Sequence, residues 1–105
     1  MTTRDPIPAP QGLSARAATL WRAEAGGHTR SAGRLLLLEE LCRAIDRANG
    51  YAATVGREGL TKTTERTGAV HIHPLVKAEQ LERQFIARLA ASLHLQWNST
   101  EDGRR

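Results

Sequence analysis

The stretch Leu35-Leu36-Leu37-Leu38-Glu39-Glu40-Leu41-Cys42-Arg43-Ala44-Ile45-Asp46-Arg47-Ala48-Asn49-Gly50-Tyr51-Ala52-Ala53-Thr54-Val55 decides how this chain folds. Within it Leu38, Leu41, Ile45, Ala48, Ala52 and Val55 recur at steps of three, four, three, four and three, which keeps one seam of an α-helix facing a partner. The four leucines that open the stretch put apolar side chains all the way round the first turn. One partner helix cannot cover them. A second helix of the same chain together with a neighbouring copy can, so the expected architecture is an oligomer, a ring, built on helical hairpins. Its expected interface comprises Leu35, Leu38, Leu41, Ile45, Ala52 and Val55, joined by Phe85 from a later helix.

Working outward, the helix is expected over about residues 31–57, capped by Thr29 or Ser31 after a linker from His28. Asn49-Gly50 is a turn signal, and an interior glycine costs about 1 kcal/mol relative to alanine. Ala52 and Val55 nevertheless stay in phase with the seam upstream, which predicts one continuous helix. Gly56 and Gly59 are the expected stop. Upstream, Ser14 is the expected N-cap of a short helix through Ala18, Leu20 and Trp21, ended by Gly26-Gly27. Residues 1–12 carry alternating prolines at Pro6, Pro8 and Pro10 and read as a flexible, extended arm.

Downstream the pattern changes. Thr61, Thr63 and Thr64 favour strand, Arg66-Thr67-Gly68 favours a turn, and Val70 and Ile72 alternate with His71 and His73, which predicts a β-hairpin over about 60–73. Such a hairpin is marginal alone and must pack on the helices or on another copy. Pro74 suits the first turn of a third helix, which runs to about Leu93 with Leu75, Ala78, Leu81, Phe85, Ile86, Leu89 and Leu93 on one broad face. The expectation is therefore a mainly α fold. A short N-terminal helix precedes a long helical hairpin, a small β-hairpin separates the two long helices, and residues 13–97 form a single domain. Asn98 to Arg105 read as a disordered tail.

At 105 residues and 40% hydrophobic content the chain can bury only a modest core, which again favours assembly. Cys42 is the lone cysteine, so intramolecular disulfides and cysteine-cluster zinc sites are excluded, and a reduced compartment is the simpler reading. No signal-peptide h-region and no membrane-spanning apolar run is present, so a cytoplasmic protein is expected.

The chemistry-bearing residues do not assemble into an enzyme. His71 and His73 would share a strand face, but two ligands fall short of the three or four a metal normally takes, and no metal or other cofactor is expected. Cys42 borders the apolar seam and reads as a small buried hydrophobe in preference to a nucleophile. Carboxylates sit mainly on helix faces with arginine partners, as in Glu39 with Arg43 and Glu79 with Arg83. No glycine loop for phosphate is present.

A formal charge of +4 and a pI near 10.2 tilt the chain toward anionic partners, nucleic acid first. Arg4, Arg16, Arg22, Arg30 and Arg34 give the N-terminal third its excess of positive charge, and Lys62 and Arg66 add a basic group at the hairpin. These seven are the candidate DNA contacts; the bland alternative is a solvated face.

From Leu13 to about Trp97 the order of elements resembles the small terminase subunits of tailed bacteriophages, in the branch lacking a large separate helix-turn-helix domain. The resemblance is carried by Leu20-Trp21, the run Leu35 to Ala48 with Cys42, Arg43 and Ala44, then Gly59-Leu60 and Gly68. His73-Pro74-Leu75, Phe85, Leu89 and Leu93-His94-Leu95 complete it. It implies a non-enzymatic, ring-forming protein that binds double-stranded viral DNA. It further implies regulation of a large terminase subunit, bearer of the ATPase and nuclease, in the cytoplasm of an infected bacterial host. Many such proteins read DNA through an N-terminal helix-turn-helix; only an arm and one short helix stand there in this chain, so no base-reading residue carries over. The alternative class is a helical adaptor or antitoxin-like module whose apolar seam binds another protein.

Overall fold

The computed structural model describes residues 6–26 and 30–94. Among these residues there are three helices, α1 (Ala15–Glu24), α2 (Ala32–Glu58) and α3 (Pro74–Ser92), and one antiparallel hairpin of β1 (Thr61–Thr63) and β2 (Val70–Ile72) that connects the two long helices. The expected mainly helical fold, with a small hairpin separating the long helices, is what forms. Arg4 and the expected tail from Asn98 to Arg105 lie outside the described residues.

Ser31 caps α2, its side chain accepting from Arg34 N, and the helix continues through Asn49 and Gly50 without interruption. At about 1.5 Å per residue its 27 residues extend about 40 Å. Gly56 does not end it. The chain leaves the helix only at Gly59, whose φ of +92° is open to glycine and strained for other residues. α3 runs antiparallel to α2. The register is pinned by Glu58 against His73 at one end, Arg47 against Glu82 in the middle and Arg34 against the Leu93 carbonyl at the other.

α1 runs along α2 in the opposite sense, with Ser14 at Asp46 and Ala17 at Cys42. Ser14 caps it by accepting from Ala17 N, while Asp46 of α2 receives both the Ser14 N–H at 2.8 Å and its hydroxyl at 2.6 Å. That double contact fixes where α1 starts on α2, and it places Ala17 and Trp21 in the core with Leu38, Leu41, Cys42, Ala44, Ala48, Ile86, Leu89 and Leu93. The Trp21 indole N–H, taken out of water, needs an acceptor and finds the Ile7 carbonyl at 2.9 Å. Residues 7–12, expected as a free arm, are thereby folded back: Ile7 and Ala9 pack on the core and the Gln11 carbonyl accepts from Arg43.

Two apolar assignments change. Leu38 and Leu41 are fully enclosed within the single chain and Val55 nearly so, so they have no surface left for a second copy. α1 and α3 together cover the seam that the sequence reading gave to neighbours. Leu35, Ile45 and Phe85 are partly buried against the same core, and Ala52 is half-buried. Leu81, expected on the covered face of α3, is 52% exposed, because at 100° per residue it lies about 140° round the helix from Ile86.

Candidate functional site

Positive charge and uncovered apolar surface are the two features with functional content, and both depend on which side chains already have partners. Arg43 holds Glu39, Arg47 forks onto both oxygens of Glu82, Lys62 holds Glu58 and Arg83 holds Glu79. The Glu82 hydrogen bonds raise the Arg47 pKa further, so that guanidinium is committed to α3.

The expected DNA contacts divide accordingly. Arg30 donates to the Gly26 carbonyl at 2.9 Å, and Arg34 donates to the Leu93 carbonyl at 2.6 Å. Arg34 thus supplies a cation at the C-terminal end of α3, where unpaired carbonyls and the helix dipole favour one. Arg30 and Arg34 are bound to the chain's own backbone. Arg16 and Arg22 stand exposed on α1, and Arg66 is exposed in the hairpin turn. Lys62 is exposed but paired with Glu58 at 3.1 Å.

Sequence reasoning missed Lys77 and Arg88. Both are exposed on α3, and neither has a carboxylate beside it among the described residues; Arg16, Arg22, Arg57 and Arg66 share that condition. Lys77, Gln84 and Arg88 recur at steps of seven and four, which aligns them on the side of α3 turned away from Ile86. The missed signal was that spacing, a polar stripe opposite the apolar one. Among the described residues Glu40 and Glu65 are the opposing carboxylates without a hydrogen-bonded partner, so positive charge prevails on the exposed faces of that part.

Uncovered apolar residues lie at both ends of the long pair, with Leu81 alone among those described standing exposed part-way along α3. Leu36 is 66% exposed at the start of α2 beside half-covered Leu37, and Leu60, Val70 and Ile72 are about two-thirds exposed in and beside the hairpin. Register sets the hairpin's faces: Thr61 opposes Ile72 and Thr63 opposes Val70 on one side, while Lys62 opposes His71 on the other. Every strand residue is exposed, and the helices barely touch the sheet.

What holds the hairpin is its base. His73 is not a strand residue but the N-cap of α3. Its Nδ1 accepts from Leu75 N at 3.1 Å, which places the ring proton on Nε2, 2.7 Å from Glu58 Oε1. The His73 N–H also closes the hairpin onto the Leu60 carbonyl at 2.8 Å. Glu58 receives His73 and Lys62 together, and those hydrogen bonds hold its pKa below the ordinary 4.5. His71 and His73 therefore do not form a ligand pair. His71 is exposed, His73 is buried and turned to Glu58, and no group of three or more metal-ligating side chains gathers among the described residues.

Cys42 is buried with its thiol 3.5 Å from the Ala17 carbonyl, and burial, with Asp46 nearby, pushes its pKa up to about 11. At neutral pH it is a thiol, the weak nucleophile of the pair. No helix among the described residues is long and apolar enough to cross a membrane. No family model, curated protein or solved structure matches this chain.

Proposed function

We propose that this chain is a small terminase subunit of a tailed bacteriophage. In this reading it is a non-enzymatic protein that assembles into a ring, binds double-stranded viral DNA and regulates the large terminase subunit in the infected cell. The observation that carries the reading is the coexistence, on one small helical scaffold, of uncovered apolar side chains at both ends of the long pair and, on α1, α3 and the hairpin turn, exposed cations without carboxylate partners among the described residues. Apolar surface left in water favours burial between copies. A few exposed cations per copy become a strong phosphate-binding array when a ring repeats them.

In the assembly Leu36, Leu37, Leu60, Val70 and Ile72 meet neighbouring copies, joined by the partly buried Leu35, Ile45, Ala52 and Phe85. Arg16, Arg22 and Arg66, with Lys77 and Arg88, contact phosphates. Native mass spectrometry and duplex-binding titrations over a range of salt test this. One closed copy number and an affinity that falls steeply as salt rises are expected. A monomer at micromolar concentration that binds no duplex at low salt overturns the reading, and capture of a single protein partner by that monomer would favour an adaptor role.

A further inference from the structure

The three helices meet around a half-open cleft of about 360 Å³, lined by Arg16 and Leu20 of α1, Ile45 and Asn49 of α2, and Arg83 and Ile86 of α3. One aliphatic side chain from each helix makes a wall. Ile86 belongs to the core and Leu20 and Ile45 pack against it, so the cleft comes with the fold. Two guanidinium groups and one carboxamide complete the lining, and it contains no carboxylate. Arg16 is exposed and has no hydrogen-bonded partner among the described residues. Arg83 gives Nε to Glu79 at 2.8 Å and Nη2 to Asn49 Oδ1 at 3.4 Å, which leaves other N–H groups of its fork unused. Carboxylates on neighbouring turns are already engaged: Asp46 holds the Ser14 N–H and hydroxyl, and Glu82 holds Arg47. An anionic group arriving from outside therefore meets donors on both α1 and α3.

That combination selects among ligand classes. Pockets for small molecules run from about 300 to 1,000 Å³ and enclose most of the ligand. This cleft stands at the low end of that range and is open on one side, so one large side chain fills it while the backbone that carries it stays outside. Duplex nucleic acid can bring phosphates to Arg16, but its base faces are stacked inside the helix and it has little apolar surface to set against Leu20, Ile45 and Ile86. A peptide supplies both parts. Its carboxylates form charge-assisted, bidentate bonds with guanidinium groups, and a leucine or an aromatic ring meets the aliphatic walls.

We propose that the cleft docks an acidic segment of a partner protein, which inserts one large apolar side chain between Leu20, Ile45 and Ile86 and sets flanking carboxylates on Arg16 and Arg83. The site is formed within one chain, so it does not rest on ring assembly. It bears on DNA binding at one residue: a docked segment neutralises Arg16 and withdraws that cation from phosphate.

The probe is a fluorescein-labelled synthetic peptide with one tryptophan flanked on each side by two glutamates, titrated with the full chain and read by anisotropy. Saturable binding is expected, with methyl NMR shifts centred on Leu20, Ile45 and Ile86. Arg16→Glu should weaken it about tenfold or more, and Arg83→Gln by a smaller factor, because each removes charge-assisted hydrogen bonds. Arg57→Glu makes the same charge change at an exposed site about 12 Å along α2 from Asn49, beyond the screening length of about 10 Å at about 0.1 M salt, and should leave the affinity within about twofold. A peptide with alanine in place of tryptophan, tested on the unaltered chain, should bind about tenfold more weakly, and that arm stands even if a variant fails to fold by circular dichroism. Absence of saturable binding up to millimolar peptide overturns the proposal. So does equal weakening by Arg16→Glu and Arg57→Glu, or an alanine peptide that binds as tightly. Shifts of the three methyl-bearing residues with duplex DNA and not with peptide would assign the cleft to nucleic acid, and the same shifts on concentrating the chain alone would assign it to a second copy; either overturns it as well. A monomer that binds the peptide keeps this site while the ring reading falls, and a ring indifferent to the peptide removes this site alone.

Discussion

Two leucines of the run at the start of α2, Leu36 and Leu38, have opposite exposure, and substituting them separately measures what each does. Leu38 is fully enclosed by α1 and α3, so Leu38→Ala removes buried methyl groups and leaves a cavity, at a cost of about 2–5 kcal/mol in unfolding free energy. Leu36 is 66% exposed, and Leu36→Ala should change the stability of the single chain by no more than about 0.5 kcal/mol. Under the proposed assembly its effect falls on the contact between copies. Fully burying a leucine contributes about 1.5–3 kcal/mol, so covering the two-thirds that remains in water contributes roughly 1–2 kcal/mol per copy. Leu36→Glu goes further, since it places a carboxylate in that contact. Urea unfolding under dissociating conditions and native mass spectrometry at matched concentrations provide the two readouts. Leu38→Ala should lower the urea midpoint, and Leu36→Glu should shift the mass distribution toward monomer while leaving that midpoint nearly in place. An assembly indifferent to Leu36→Glu, or a urea midpoint indifferent to Leu38→Ala, would refute the division of the run into one covered and one uncovered face.

Four further outcomes are expected. His73→Ala should cost about 1 kcal/mol through loss of the α3 cap, and His73→Asn should restore most of it, as read by urea unfolding. The lowered Glu58 pKa gives a stabilising contribution that is complete above pH 4.5 and lost as pH falls through the folded-state value, so Glu58→Gln should flatten the unfolding midpoint against pH in that acid window. Cys42 should react with an aromatic disulfide reagent many times more slowly in the native chain than in denaturant, both because it is buried and because its thiol stays protonated. Arg88→Ala should reduce the slope of log affinity against log salt by about 1 per copy in contact with duplex, whereas Arg34→Ala should lower stability by about 1 kcal/mol.

The periodicities announced the elements because each is local. Ser14, Ser31 and the His73-Pro74 step all mark helix starts, and the phase of Ala52 and Val55 carried α2 through Asn49-Gly50. Which residue covers which is a tertiary matter, and there the reading lost resolution. The seam of α2 shows that it needs a partner, but not that α1 and α3 of the same chain supply it, so Leu38 and Leu41 were assigned outward. Arginine presents the same difficulty: nothing near Arg34 in sequence reveals that the carbonyl it meets belongs to Leu93, 59 residues away. His73 was misplaced because strand alternation and helix capping overlap at that one position, and burial beside Glu58 decides between them.

Placing the hairpin between the long helices also orders how the chain closes on itself. Glu58 and His73 are 15 residues apart, whereas Arg34 and Leu93 are 59 apart. Loop closure grows costlier by about 0.6 kcal/mol per doubling of length, so the far end is about 1.2 kcal/mol harder to bring together first. Loop-closure entropy therefore favours forming the contacts beside the hairpin before those at the leucine run. The end whose closure is entropically costliest is the end where Leu36 stands two-thirds in water, so a neighbouring copy seated there, as proposed, would act as a clasp on the longest loop of the fold.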